Sequence, residues 1–157
     1  MRPGATVPGA RLLIALLQRV SEARVDVGDE TVAAIGPGLL VLVAVERGDD
    51  EDSADRLAHR LVTYRVFPDE SGRMNRSVRD VGGDVLLVPQ FTLAADTRKG
   101  SRASFTPAAD PETGARLYDR LVCAVREHSI RVSTGVFGAD MQVTLTNVGP
   151  VTFWLES

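Results

Sequence analysis

The chain alternates between two hydrophobic periods, and the switches between them outline a fold. Residues 12–20 carry a strand-like apolar run. Residues 25–27 and 31–35 are short β-forming stretches on either side of Gly28-Asp29, a hairpin signal because glycine takes positive φ without steric cost. Gly36-Pro37-Gly38 marks a second turn, and residues 39–46 are almost continuous β-formers, as in a central strand buried on both faces. The period then changes. Ala54, Leu57, Ala58, Leu61 and Val62 fall on one helical face, with a cap and first-turn carboxylates within residues 49–53. Residues 84–88 and 91–94 read as one strand broken by Pro89. A second helix is predicted to begin near Asp110-Pro111, a cap residue followed by a first-turn proline, with Leu117, Leu121, Val122 and Val125 on its inner face. Residues 142–146 and 151–155 are closing strands split by Gly149-Pro150. The order predicts an α/β fold, α+β-like in layout: one layered domain over residues 13–157, its β-sheets carrying two main helices on one side. Residues 1–12 are rich in Gly, Pro and Ala, lack any period, and read as a flexible tail.

Composition narrows the class. The 157 residues, 44% hydrophobic and 25% charged, suit one globular domain with a real core. The longest apolar run, residues 39–45, falls well short of the roughly 20 residues of a membrane helix. Residues 1–10 have no apolar segment of the kind a signal peptide needs, so a cytoplasmic location without membrane association is expected. The single cysteine, Cys123, agrees with a reducing compartment. A formal net charge of −3 argues against non-specific nucleic-acid binding and against DNA as a partner. An RNA enzyme of this charge must concentrate its cations. Arg73, Arg76 and Arg79, or Arg98-Lys99-Gly100-Ser101-Arg102, would do so; both stretches read equally as solvated surface.

Familiar catalytic equipment is missing. His59 and His128 are far apart in sequence, lie in predicted helices, and have no metal-ligating neighbour at usable spacing, so both read as structural and no metal site is expected. Cys123 falls inside the second helix with no nearby histidine and reads as a small buried hydrophobe. No glycine pattern opens a helix after a strand as a phosphate or dinucleotide site requires. An enzyme built from this chain must rely on backbone groups and on its substrate, with no cofactor.

Five separated motifs, in order, resemble one family. They are Gln18-Arg19-Val20-Ser21-Glu22-Ala23, Met74-Asn75-Arg76-Ser77-Val78, Gln90-Phe91-Thr92-Leu93 followed by Ala95-Asp96-Thr97-Arg98-Lys99-Gly100, Phe137-Gly138-Ala139-Asp140-Met141-Gln142-Val143, and Asn147-Val148-Gly149-Pro150-Val151-Thr152. Across residues 13–157 the chain resembles the D-aminoacyl-tRNA deacylases. The resemblance implies hydrolysis of the ester bond of D-aminoacyl-tRNA, and of mischarged glycyl-tRNA, as a proofreading step in translation. It implies a homodimer whose active site joins residues 90–93 of one subunit to a cis Gly149-Pro150 of the other. Gln90, Phe91 and Thr92 are then catalytic, with Gly149, Pro150, Asn147, Met141 and Arg19 binding substrate and Arg98, Lys99 and Arg102 binding tRNA.

The implied mechanism has a physical logic. A pocket that prefers one side-chain shape discriminates by roughly 10–200-fold. A fixed backbone wall does better, because inverting Cα drives a side chain or amino group into it; glycine, lacking a side chain, passes. Backbone N–H groups around Phe91 and Thr92 would hold the ester carbonyl, each donor contributing roughly 10²–10³-fold. Without a base beside it a threonine hydroxyl is a weak nucleophile, so Thr92 reads as a positioning group, or as an ordinary strand threonine, with the terminal ribose 2′-OH assisting. Two departures stand out. The family usually has Ser where this chain has Pro89; a related animal group with Pro-Gln there edits L-alanine from tRNA, although residues 147–152 here follow the D-specific form. Members also typically start near the position of Leu13. The alternatives are an L-alanyl-tRNA editor and a catalytically silent tRNA-binding module.

Overall fold

The computed structural model describes residues 13–157, so the predicted tail lies outside the described residues. Three antiparallel strands open the domain: β1 (Ile14–Val27), β2 (Glu30–Ile35) and β3 (Gly38–Ala44). Helix α1 (Glu51–Thr63) follows, then the small hairpin of β4 (Phe67–Pro68) and β5 (Met74–Arg76), a single turn α2 (Val78–Val81) and strand β6 (Asp84–Pro89). A 3-10 turn (Phe91–Ala94), helix α3 (Pro111–Glu127), β7 (Val132–Thr134) and β8 (Gln142–Glu156) complete the chain.

The main sheet runs β2-β1-β3-β6-β7, with β8 pairing along β1. β3, β6 and β7 are parallel and the rest antiparallel. β3 is central and apolar on both faces, as its run of β-formers predicts. Its first residue, Gly38, packs so tightly on β6 that a Cβ there would lie 1.9 Å from the Asp84 carbonyl oxygen. The outer strands β2 and β7 come into contact with each other, so the sheet curls towards a barrel.

Alternation along β1, β3 and β6 divides the core in two. Leu13, Ala15, Leu17, Leu39, Val41, Val43, Val85 and Leu87 face both helices, where Leu57, Leu61, Leu117 and Leu121 are fully buried. Each such leucine stabilises the fold by about 1.5–3 kcal/mol relative to an exposed one. The opposite face packs Leu40, Leu86 and Val88 against Ala33 and Ile35 of the curled β2. The predicted placement of two helices on one side therefore holds. Asp50 caps α1 by accepting from the Ser53 N–H, and Asp110 caps α3 by accepting from the Thr113 N–H ahead of a first-turn proline. The pairs Glu51–Arg116, Asp55–Arg120 and His59–His128 rise together along both helices, so α1 and α3 run parallel.

Several expectations need correction. Residues 91–94 are a 3-10 turn and not the far half of a broken strand. Pro89 is the last residue of β6, opposite Val43, and the chain leaves the sheet immediately after it. Residues 142–156 form one strand, because both halves pair with β1. Cys123 is exposed, not buried: Leu121, Val122, Ala124 and Val125 take the inner face of α3, and the residue between them points outward.

Candidate active site

The first cluster of predicted site residues gathers where β6 ends. The Gln90 N–H donates to the Val43 carbonyl (2.7 Å), fixing the exit from the sheet. The chain then tightens, the Leu93 N–H reaching the Gln90 carbonyl (3.2 Å) and the Ala95 N–H that of Thr92 (3.1 Å). In this turn the amides of Phe91 and Thr92 precede the first internal bond, and no side chain caps them. The Gln90 side-chain amide donates instead to the Thr92 hydroxyl (3.0 Å). Thr92 thus lies in a 3-10 turn and not in a strand, and its hydroxyl accepts from an amide, which is no base.

Apolar groups surround this turn. Phe91 is 60% exposed and packs, its ring tilted and 5.2 Å away between centroids, against Phe105, itself 47% exposed. Met141 joins through Gly135, where a Cβ would lie 2.9 Å from the Met141 sulfur and 3.4 Å from Pro89 Cδ. The Met141 sulfur also accepts from the Val136 N–H (3.3 Å). Val136 and Phe137 add exposed apolar surface. Phe105 was absent from the predicted site. Its only signal was a phenylalanine between Ser104 and Thr106 in a polar loop.

The second cluster centres on Arg19. Gln18 pairs with Thr152 and Val20 with Asn147, so four residues of β8 oppose one of β1 and the segment 148–151 bulges out of the ladder. Asn147 staples the base of this bulge, accepting from the Val151 N–H (2.9 Å) and donating to the Thr152 hydroxyl (2.9 Å). Arg19 donates to the Val148 carbonyl (3.2 Å). Gly149 and Pro150 sit exposed at the crest, joined by a cis peptide bond. Gly149 has φ 127, and a Cβ there would lie 2.7 Å from Val151 Cγ2 and 3.1 Å from the Arg19 guanidinium, so the position accommodates only glycine without strain.

The two clusters do not meet within one chain. Arg19 is level with Leu39 on β3, while Pro89 is level with Val43. Four residues along the sheet and, from the β8 bulge through β1 and β3 to β6, three strand spacings across it put the two clusters on the order of 20 Å apart.

The predicted tRNA contacts lie on a loop closed by Asp96 and Ser104, which exchange backbone bonds of 2.7 and 2.9 Å. Arg98 folds back onto Asp96 in a two-pronged ion pair (2.9 and 2.8 Å), which holds that carboxyl well below its usual range. Arg98 therefore shapes the loop, and Lys99 and Arg102 are exposed along it. Elsewhere, His59 and His128 approach to 6.0 Å between ring centroids, a proximity their sequence separation conceals. No group of three metal-ligating side chains occurs among the described residues, and none of their helices is long and apolar enough to cross a membrane.

Comparison with known proteins matches this architecture to one family. The model of D-Tyr-tRNA(Tyr) deacylase matches residues 16–156. The D-aminoacyl-tRNA deacylases of Alkalilimnicola ehrlichii and Thioalkalivibrio sulfidiphilus are each 63% identical to this chain, covering 92% of it and 97% of their own length. A solved structure described as c-Myc DNA Unwinding Element Binding Protein superposes with a TM-score of 0.87 at 37% identity, over 92% of this chain and 98% of its own. Another, described as a "probable eukaryotic D-amino acid tRNA deacylase", shares the fold with a TM-score of 0.83 at 20% identity, over 93% of this chain and 100% of its own. The chain belongs to the D-Tyr-tRNA(Tyr) deacylase family.

Proposed function

We propose that this protein hydrolyses the ester bond of D-aminoacyl-tRNA, releasing a free D-amino acid and tRNA, and acts on mischarged glycyl-tRNA by the same route. Family membership supports the reaction class. The observation that carries the mechanism is the pair of uncapped amides at Phe91 and Thr92, displayed at an exposed sheet end. Two adjacent backbone donors suit an ester carbonyl whose oxygen gains charge on attack. Water is the nucleophile, the terminal ribose 2′-OH assists proton transfer, and the Thr92 hydroxyl, held by Gln90, positions the ester.

The active unit is a homodimer. Gly149-Pro150 of each subunit forms the wall of the other's pocket, whose floor is residues 90–92 with Met141 beside it. Three observations support this arrangement. The two clusters are too far apart to cooperate in one chain. The crest at Gly149-Pro150 is exposed, yet Arg19 and Asn147 hold it firmly. Among the described residues β8 pairs on one side only, leaving its 15-residue outer edge without a strand partner. Lys99 and Arg102 approach tRNA phosphates, and the enzyme works in the cytoplasm, with its substrate. Cleavage of D-Tyr-, Gly-, L-Ala- and L-Tyr-tRNA measured side by side tests the assignment. D-Tyr- and Gly-tRNA should be cleaved and both L-substrates spared; efficient L-Ala cleavage would make the protein an L-alanyl-tRNA editor instead.

A further inference from the structure

Arg19 joins two elements that the sequence keeps far apart. It donates to the Val148 carbonyl (3.2 Å), where the Gly149-Pro150 bulge begins, and to the Val66 carbonyl (2.8 Å), where the β4–β5 hairpin begins. The Val66 N–H in turn reaches the Arg76 carbonyl (3.1 Å) at the hairpin's other end. One guanidinium therefore fixes hairpin and bulge as a unit. The hairpin is also built in advance. Asp69 accepts from the Ser71 N–H (2.8 Å), the Ser71 hydroxyl (2.7 Å), the Arg73 N–H (3.0 Å) and the Asn75 side-chain amide (2.8 Å). A turn so organised loses little conformational freedom when it binds a ligand. It displays Arg73, which is exposed, and Arg76, which lies 3.6 Å from a Glu70 carboxylate that is 95% exposed. An ion pair that open contributes little and yields readily to a phosphate, which the planar guanidinium can grip with two parallel bonds.

We propose that the β4–β5 hairpin, through Arg73 and Arg76, binds backbone phosphates of the single-stranded tRNA 3′ end held at the other subunit's residues 90–92. The inference rests on the dimer proposed above: where Gly149-Pro150 docks, the hairpin tied to it docks too. The 3′ strand then runs between basic elements of two subunits, this hairpin on one side and the Lys99–Arg102 loop on the other.

The test uses the full dimer and two substrates, D-Tyr-tRNA and 3′-D-tyrosyl-adenosine, which lacks the phosphates. In the double variant Arg73→Ala/Arg76→Ala, the log–log salt dependence of kcat/KM on D-Tyr-tRNA should flatten by about 1.4 units, two single-strand contacts at about 0.7 each. Cleavage of D-tyrosyl-adenosine should be unchanged. An unchanged slope, or equal loss on both substrates, overturns the proposal. A heterodimer then assigns the hairpin to a site. The double-variant subunit is paired with one carrying Phe91→Pro and Thr92→Pro, which lacks both amide donors. The surviving site is served by a wild-type hairpin only if the hairpin acts across the interface, so the wild-type slope should return. A flattened slope in a proven dimer removes this inference alone. A monomeric wild-type mass removes the dimer reading and this inference with it.

Discussion

Asp49 is only 6% exposed, and one of its oxygens meets no donor while the other accepts the Glu46 N–H at 2.6 Å. Burial pushes its carboxyl up to about 6, against the help of that hydrogen bond. The folded state thus favours the protonated form, so the stability linked to Asp49 is full below about pH 4 and is lost as pH rises through 6. Asp49→Asn keeps an acceptor and removes the charge. It should raise stability at pH 8 by about 1–3 kcal/mol and change it little at pH 4. Denaturant melts at the two pH values check this; a gain that is equal at both would assign the effect to packing. At the sheet's end, the Thr92 hydroxyl accepts from the Gln90 side-chain amide, a group that cannot act as its base. Thr92→Ala should keep most of the deacylase activity, and a dead variant that cleaves a 2′-deoxy-terminated substrate normally would make Thr92 the nucleophile. Pro89 packs near Gly135 and Met141 and ends β6 in extended geometry, a conformation serine adopts freely. Pro89→Ser should therefore alter the rate modestly and leave D-over-L preference intact. The ratio of D-Ala- to L-Ala-tRNA cleavage in the two proteins decides it, and restored selectivity in the serine variant would place chirality control at residue 89.

At the scale of elements, the loop between Asp96 and Ser104 carries a separable prediction. Arg98 is committed to Asp96, so Lys99 is the better phosphate ligand. Lys99→Ala should weaken all tRNAs alike and flatten the salt slope by about 0.7–0.9 units, whereas an unchanged slope would make the loop ordinary solvated surface. Elements with a long period were legible in the sequence. The α1 face of Leu57, Ala58 and Leu61, the Asp110-Pro111 start of α3 and the central β3 all stand where the pattern put them. Short, context-dependent pieces were not. Phe91, Thr92 and Leu93 have strand propensity, but beyond Pro89 there is no ladder left to join, and a four-residue 3-10 turn closes on its own hydrogen bonds. The unity of β8 was hidden for the opposite reason: Gly149-Pro150 looks like a terminator, yet β1 is long enough to pair on both sides of it. The candidate site was legible as motifs and not as geometry. Arg19 and Asn147 stood in the motifs, but nothing in their spacing shows that they staple one bulge.

At the scale of the whole molecule, the question is whether one chain holds a complete site. The residue 90–92 cluster and the Arg19–Gly149 cluster lie on the order of 20 Å apart across a sheet that is close-packed on both sides, so a hinge bringing them together would have to break the core. In the proposed dimer a second copy would supply the other half at no such cost, and two-fold symmetry would then complete two sites at once. The solution mass should be twice the 16.9 kDa of the chain at micromolar concentration. Mass alone does not show that the interface carries the sites, so complementation provides the stricter measurement. Gly149→Ala forces a methyl against Val151 and Arg19 and displaces the wall, leaving residues 90–92 intact. The Phe91→Pro/Thr92→Pro variant removes the donors and leaves the wall intact. Each homodimer should be strongly impaired on D-Tyr-tRNA. Mixed and allowed to exchange, half the dimers pair one variant with the other, and each has one site with both halves sound. The mixture should recover about a quarter of wild-type activity. If exchange is demonstrated by mass and no activity returns, each site is built within its own subunit and the shared-site dimer is wrong.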